Sequence, residues 1–214
     1  MNRPNLNPQP SPQPSAAHPG ESPLTQGDPR RLLPIVAATF AEIGYAPTTT
    51  AILAKRCGTR ENVLYRAWPT KKAMFLASIE HIFESSLQDW HSLASASADP
   101  ATIARSILEQ EAKARPGRGF HRIIFAGINH SDDQDIQSAL RDMYLRFAAW
   151  IADRLRAAVP NLPPDQATHR AWAVISLATF ANIAHELSLM PESARQLLVA
   201  STAGSIAFAE PSLS

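Results

Sequence analysis

The 214-residue sequence holds a single cysteine, Cys57, so no intrachain disulfide can form and a reducing, cytoplasmic setting is expected. Cys57 itself reads as a small apolar residue closing a helix. No hydrophobic N-terminal run is present to act as a signal peptide. The longest charge-free apolar stretch, AWAVISLATFANIA between Arg170 and His185, is too short to cross a bilayer and suits a buried helix. No membrane partner is expected. The alternation that marks strands is also scarce. Neither a phosphate loop, nor G-x-S-x-G, nor a cysteine nucleophile with partners occurs, so no catalytic residue and no cofactor is expected and an enzyme is the least fitting class. The histidines at 18, 81, 91, 121, 130, 169 and 185 include no pair at i, i+4. His130 with Asp132 and Asp133 reads as a capped turn, so no metal is expected.

What is present is helical periodicity and an uneven charge. Hydrophobic residues make up 45% of the chain, enough for a sizeable core. Residues 28–75 carry eight Lys/Arg against three acids, and residues 76–214 carry 11 against 15. A basic module thus precedes a mildly acidic one, a pattern that fits a polyanion-binding domain joined to a domain with another task. Residues 1–27 contain seven prolines among Asn, Gln and Ser, and read as a disordered tail.

From Asp28 the apolar residues recur at three and four. Asp28–Pro29 reads as N-cap and first helical residue, with Leu32, Leu33, Val36, Phe40 and Ile43 on one side, a kink at Pro34 and a stop at Gly44. A short helix follows, capped by Thr48 or Thr49 and closed by Gly58. Thr59 caps a second short helix over Arg60 to Ala67. Pro69–Thr70 introduces a long helix from Lys71 to about Leu93, with Phe75, Ile79, Ile82, Phe83, Leu87 and Trp90 in one stripe. Further helices are expected near 99–114, 119–130, 132–159, 164–189 and 191–209. The expectation is an all-α protein of about nine helices, divided into a three-helix module at 28–75 and a larger helical domain at 76–214.

Two short helices joined by a Gly-containing turn form a helix-turn-helix, whose second helix enters the DNA major groove. With Leu64 and Trp68 turned inward against Leu53 and Ala54, the residues Arg60, Asn62, Val63, Tyr65 and Arg66 face outward or sideways. That face suits base edges and phosphates.

The stretch ATFAEIGYAPTTTAILAKRCGTRENVLYRAWPTKKAMF resembles the DNA-binding domain of the TetR/AcrR family of bacterial transcriptional regulators. Phe40, Gly44-Tyr45, Thr48-Thr49, Leu53-Ala54, Gly58, Leu64-Tyr65, Trp68, Lys71 and Phe75 stand in register with it. The resemblance implies phosphate contacts from Thr48 or Thr49, from Tyr65 and from Lys71, with Lys72 adding charge where an acid is commoner. Arg60, Glu61, Asn62 and Val63 stand where members of the family read bases. Glu61 either reads a base or favours the helix N-terminal dipole. Asn62, in place of a small residue, either reads a base or completes a weak capping box with Thr59.

The same resemblance implies homodimerisation through the last two helices, with Ala171, Val174, Ile175, Ala178 and Ile183 allowing close approach and an internal core helix as the alternative, and a small-molecule effector in the helical domain. For that pocket His121, Phe125 and Asn129 share a helical face, with Tyr144 and Phe147 on the following helix; core packing is the alternative for each. The implied function is a DNA-binding regulator, a repressor released by its effector. The alternatives are an activator, an effector-independent regulator, or a small-molecule-binding helical protein that no longer binds DNA.

Overall fold

The computed structural model describes residues 28–95, 102, 106 and 120–208. The Pro-rich stretch 1–27 and the helix expected near 99–114 lie outside the described residues, apart from two positions of the latter. Among the described residues the chain is all α, with eight helices: α1 (Pro29–Ile43), α2 (Thr50–Arg56), α3 (Glu61–Ala67), α4 (Lys71–Ser95), α5 (Phe120–Ile128), α6 (Gln134–Ala158), α7 (Pro164–Glu186) and α8 (Glu192–Phe208).

Local chemistry sets most of these boundaries. The Asp28 carboxylate accepts from the Arg30 backbone N–H at 2.9 Å, capping α1, and Pro29 occupies the first turn where no donor is needed. Pro34 sits inside α1 but faces solvent, and the helix continues through it to Gly44 at φ 94°. Thr49 caps α2 by accepting from Ile52 N–H at 3.2 Å. Thr70 caps α4 in the same way through Ala73 N–H at 3.0 Å. Asp133 caps α6, accepting from Asp135 and Ile136.

Three expectations about helix ends change. Thr59 does not cap α3; Arg60 holds that position in extended backbone with no side-chain cap bond. α7 stops at Glu186 because Ser188 turns left-handed, at φ 51°, and the Leu189 N–H closes back on the Ala184 carbonyl at 2.9 Å. α5 stops at Ile128, where the His130 N–H turns back to Gly127.

One continuous core joins the described helices. α1 lies along α4 and α5, and α4 runs on to pack against α6, which in turn lies along α7. In the N-terminal module Leu32, Val36, Phe40, Leu53, Leu64 and Phe75 are all buried. Further along α4, Phe83 and Trp90 meet Phe147 of α6 with ring centroids 4.7 and 4.6 Å apart. α4 is thus the shared beam, its first turns in one core and its later turns in the other. Gly127 of α5 admits this crossing: a Cβ there would stand 3.2 Å from the Phe75 ring and 3.1 Å from Leu140. No helix among the described residues is long and apolar enough to cross a membrane.

Gly58 gives the turn between α2 and α3 its shape, at φ 62°. A Cβ added there meets nothing within 4 Å, so the cost of Gly58→Ala is backbone strain alone. Urea denaturation should show a loss of about 1 kcal/mol for Gly58→Ala and a smaller one for Gly58→Asn, whose side chain tolerates this conformation.

Candidate nucleic-acid interface

The α2–turn–α3 unit is built on two fully buried leucines, Leu53 and Leu64, with Ala54 beside them and Trp68 packed against the same core. Anchoring one side of α3 leaves Arg60, Glu61, Asn62, Tyr65 and Arg66 exposed on the other. Val63 is only half-exposed and packs against the core, so it offers methyl groups at the edge of this face.

The polar groups on the face are ordered by specific bonds. The Tyr65 hydroxyl reaches Thr50 Oγ1 at 3.3 Å, and Thr50 Oγ1 in turn bonds Glu61 Oε2. Asn62 keeps its side-chain amide without a hydrogen bond among the described residues, while its carbonyl accepts from Arg66 Nε at 3.4 Å. The weak capping box of Thr59 and Asn62 is therefore not formed. Lys71 Nζ donates to the carbonyls of Tyr45 and Ala46, at 3.1 and 3.4 Å, and lies 4.5 Å from the Tyr45 ring centroid. An ammonium has three protons, so one remains for an anion.

Two residues expected on this face are placed elsewhere. Thr48 is fully buried, and its hydroxyl donates to the Gly44 carbonyl at 2.6 Å, tying the end of α1 to the start of α2. Lys72 turns to the helical domain, bonding Asp135 at 2.6 Å and Asp133 at 3.1 Å. Those two carboxylates, Asp135 foremost, hold its ammonium above the ordinary lysine value. Thr50 was missed. Its neighbour Thr49 carries the cap, and only the α2–α3 approach shows that Thr50 faces Glu61. Cys57 is half-buried with Sγ 4.0 Å from the Leu32 carbonyl, and burial pushes its thiol up.

The residues expected to line an effector pocket do not converge. Asn129 lies past the end of α5 and is exposed. Phe147 is sealed between Phe83 and Trp90, fully buried. Tyr144 is half-buried against Trp172 of α7, ring centroids 6.4 Å apart. His121 and Phe125 do approach one another, at 6.1 Å between centroids, beside a cleft of about 530 Å³. The cleft is walled by the end of α1 (Glu42, Ile43), by Arg122 and Phe125 of α5, and by Ile183 and Glu186 of α7. Arg122 forks onto Glu186 with contacts of 2.6 to 3.0 Å, joining α5 to α7.

The small residues expected to form a dimer face are also redirected. Ala171, Val174, Ile175 and Ala178 are buried within the chain's own core, and Ile183 lines the cleft. On the helices themselves the exposed large apolar residues are instead Trp172 and Phe180, two helical turns apart on α7, and Leu197 of α8, with Leu187 and Leu189 exposed in the connection between them.

Comparison with known proteins fits this arrangement. Residues 37–78 match the family described as bacterial regulatory proteins, tetR family. Among curated proteins none matches in sequence. A TetR-family transcriptional regulator from Cytophaga hutchinsonii superposes with a TM-score of 0.71 at 14% identity, over 87% of this chain and 97% of that one. A putative transcriptional regulator from Saccharomonospora viridis, solved in complex with choline, gives 0.68 at 16% identity over 80% and 93% of the two chains. The TetR-family regulator CifR, solved as a cysteine mutant with a 26 bp double-strand operator DNA, gives 0.64 at 14% identity over 85% and 96%. Residues 37–78 thus carry the sequence of the tetR family's conserved region, and the chain as a whole has the fold of the TetR-family regulators it superposes on.

Two tests follow from these placements. Because Lys72 is held by Asp133 and Asp135, Lys72→Ala should leave the slope of log affinity against log salt for duplex DNA unchanged, whereas a lysine on a phosphate would lower it by about one contact's worth. The second concerns His121, which is 5% exposed, bonds Glu186 through Nε2 at 3.4 Å, and has no partner for Nδ1 among the described residues. Burial is the largest influence and pushes its imidazole below the ordinary 6.5, against the opposing pull of Glu186. The unfolded chain then binds the proton more readily, so stability is full above the unfolded value and is lost as pH falls through it. From about pH 7.5 to about pH 5.5 the wild type should lose more thermal stability than His121→Gln, as read by melting temperature.

Proposed function

We propose that the protein is a homodimeric repressor that binds a near-palindromic operator and is released by a small-molecule effector. The observation that carries the reading is the exposed ridge of Arg60, Glu61, Asn62, Tyr65 and Arg66 on a short helix whose opposite side is fixed by fully buried Leu64. Residues 28–75 act as the DNA-binding domain and 76–214 as the effector-binding and dimerisation domain. Arg60, Glu61 and Asn62 reach base edges, with Val63 supplying an apolar flank. Thr49, Arg66 and Lys71 contact phosphates, as does Tyr65 when its hydroxyl proton turns from Thr50 to a phosphate oxygen; such contacts position the helix without reading sequence.

The exposed Trp172, Phe180 and Leu197 support a second copy on α7 and α8, since a two-fold interface needs one self-complementary apolar patch. The cleft at α1, α5 and α7 supports effector control, because an occupant there touches the end of α1 and the helical domain together. An effector that fits better when α1 has shifted favours a dimer whose recognition helices are wrongly spaced. The solved relative with choline supports a small-molecule effector in the same manner, without naming this one.

Selecting duplexes from a random pool should return an inverted repeat with half-sites about 34–36 Å apart. A selected site lacking a repeat, or a protein monomeric in sedimentation at micromolar concentration, would count against the reading. On the selected site Asn62→Ala should cost about 1–3 kcal/mol and relax preference at a single base pair, measured across single-base operator variants.

A further inference from the structure

The hydroxyl of Thr50 sits between two groups of the DNA face, and the direction of its bonds follows from chemistry. An ionised carboxylate can only accept, so the Thr50 proton goes to Glu61 Oε2. The Thr50 oxygen is then free to accept, and the Tyr65 phenol donates to it at 3.3 Å. The result is a one-way chain, Tyr65 to Thr50 to Glu61, linking two turns of α3 to the first residue of α2. No backbone N–H of α3 bonds the Glu61 carboxylate, and its other oxygen has no partner among the described residues.

Resting on the DNA-binding reading above, we propose that Glu61 is a base-reading residue and that Thr50 is the residue that positions it. A carboxylate near phosphates is repelled and swings away unless something restrains it. Thr50 supplies that restraint from a neighbouring helix, and the chain fixes which oxygen stays available. A carboxylate presented to the major groove recognises an exocyclic amino donor, and cytosine N4 is the partner whose edge offers a donor with no adjacent purine N7 to oppose the negative charge. The operator half-site therefore carries a cytosine beneath Glu61. A staple joining α2 to α3 is the other use of the same bonds, and it makes a different forecast.

The test measures affinity across all single-base variants of the selected operator, with the melting temperature, for wild type, Thr50→Ser, Thr50→Ala and Glu61→Gln. The wild type should prefer cytosine at one half-site position. Glu61→Gln should remove that preference, since its amide carries a donor as well as an acceptor. Thr50→Ala should weaken the preference about fivefold or more at that position alone, with non-specific affinity kept. Thr50→Ser, which retains the hydroxyl, should restore it. A Thr50→Ala profile parallel to wild type, or a loss spread evenly over all positions with a lowered melting temperature, would overturn the proposal and leave the staple. An unchanged profile in Glu61→Gln would overturn it as well. Failure to select any specific duplex would instead count against DNA binding itself, so the two failures are told apart.

Discussion

Phe75 is the side chain on which the arrangement of the two halves depends. It is fully buried in the first turns of α4, edge-on to Phe40 of α1 at 5.1 Å and tilted against Tyr45 at 4.7 Å. On its other side Gly127 of α5 comes so near that a Cβ would stand 3.2 Å from the ring. One aromatic ring therefore belongs to the core of the helix-turn-helix module and to the crossing of α4, α5 and α6. Interiors are packed too densely for such a ring to shift alone. A movement of α5 is consequently felt by α1 and by the loop that leads to α2.

Polar contacts around this ring repeat the same connection. Tyr45 stacks edge-on with His130 at 5.0 Å, just beyond α5, while its carbonyl accepts from Lys71. Lys72 reaches Asp133, which also caps α6. The Lys72–Asp133 pair is only half-buried, so it guides orientation more than it stabilises. The cleft lies on the same junction, with the end of α1 as one wall and the Arg122–Glu186 pair as another. Domain junctions are common sites for ligands because both walls are already formed there.

The exposed face of α2 and α3 obeys a related constraint at smaller scale. α2 and α3 have seven residues each, too few to be stable alone in water. Their helicity is supplied by Leu53 and Leu64 reaching a shared core, with Thr49 capping one end. Only because that side is fixed can the opposite side present a fixed set of polar groups. The Tyr65–Thr50–Glu61 chain is a consequence of the angle at which the two helices meet, an angle for which Gly58 supplies the left-handed turn.

Helix existence, the inward stripe of α4, the helix-turn-helix and the absence of strands among the described residues were legible in the sequence. Each rests on periodicity, caps and breakers, and these act within a few residues of one another. Partner choice was another matter. Thr48 and Thr49 are equally good caps on paper, and only the return of α1 toward α2 assigns one to the Gly44 carbonyl and the other to α2. Lys72 looked like part of the basic face until α6 brought Asp133 and Asp135 to it from 61 or more residues away along the chain. Ala171, Val174, Ile175 and Ala178 had the size of a dimer seam, yet α6 covers that side of α7 and leaves Trp172 and Phe180 outside. Helical spacing states which residues share a face. Which neighbour that face meets is decided by long-range packing, where the free energy depends on what every other helix has already covered.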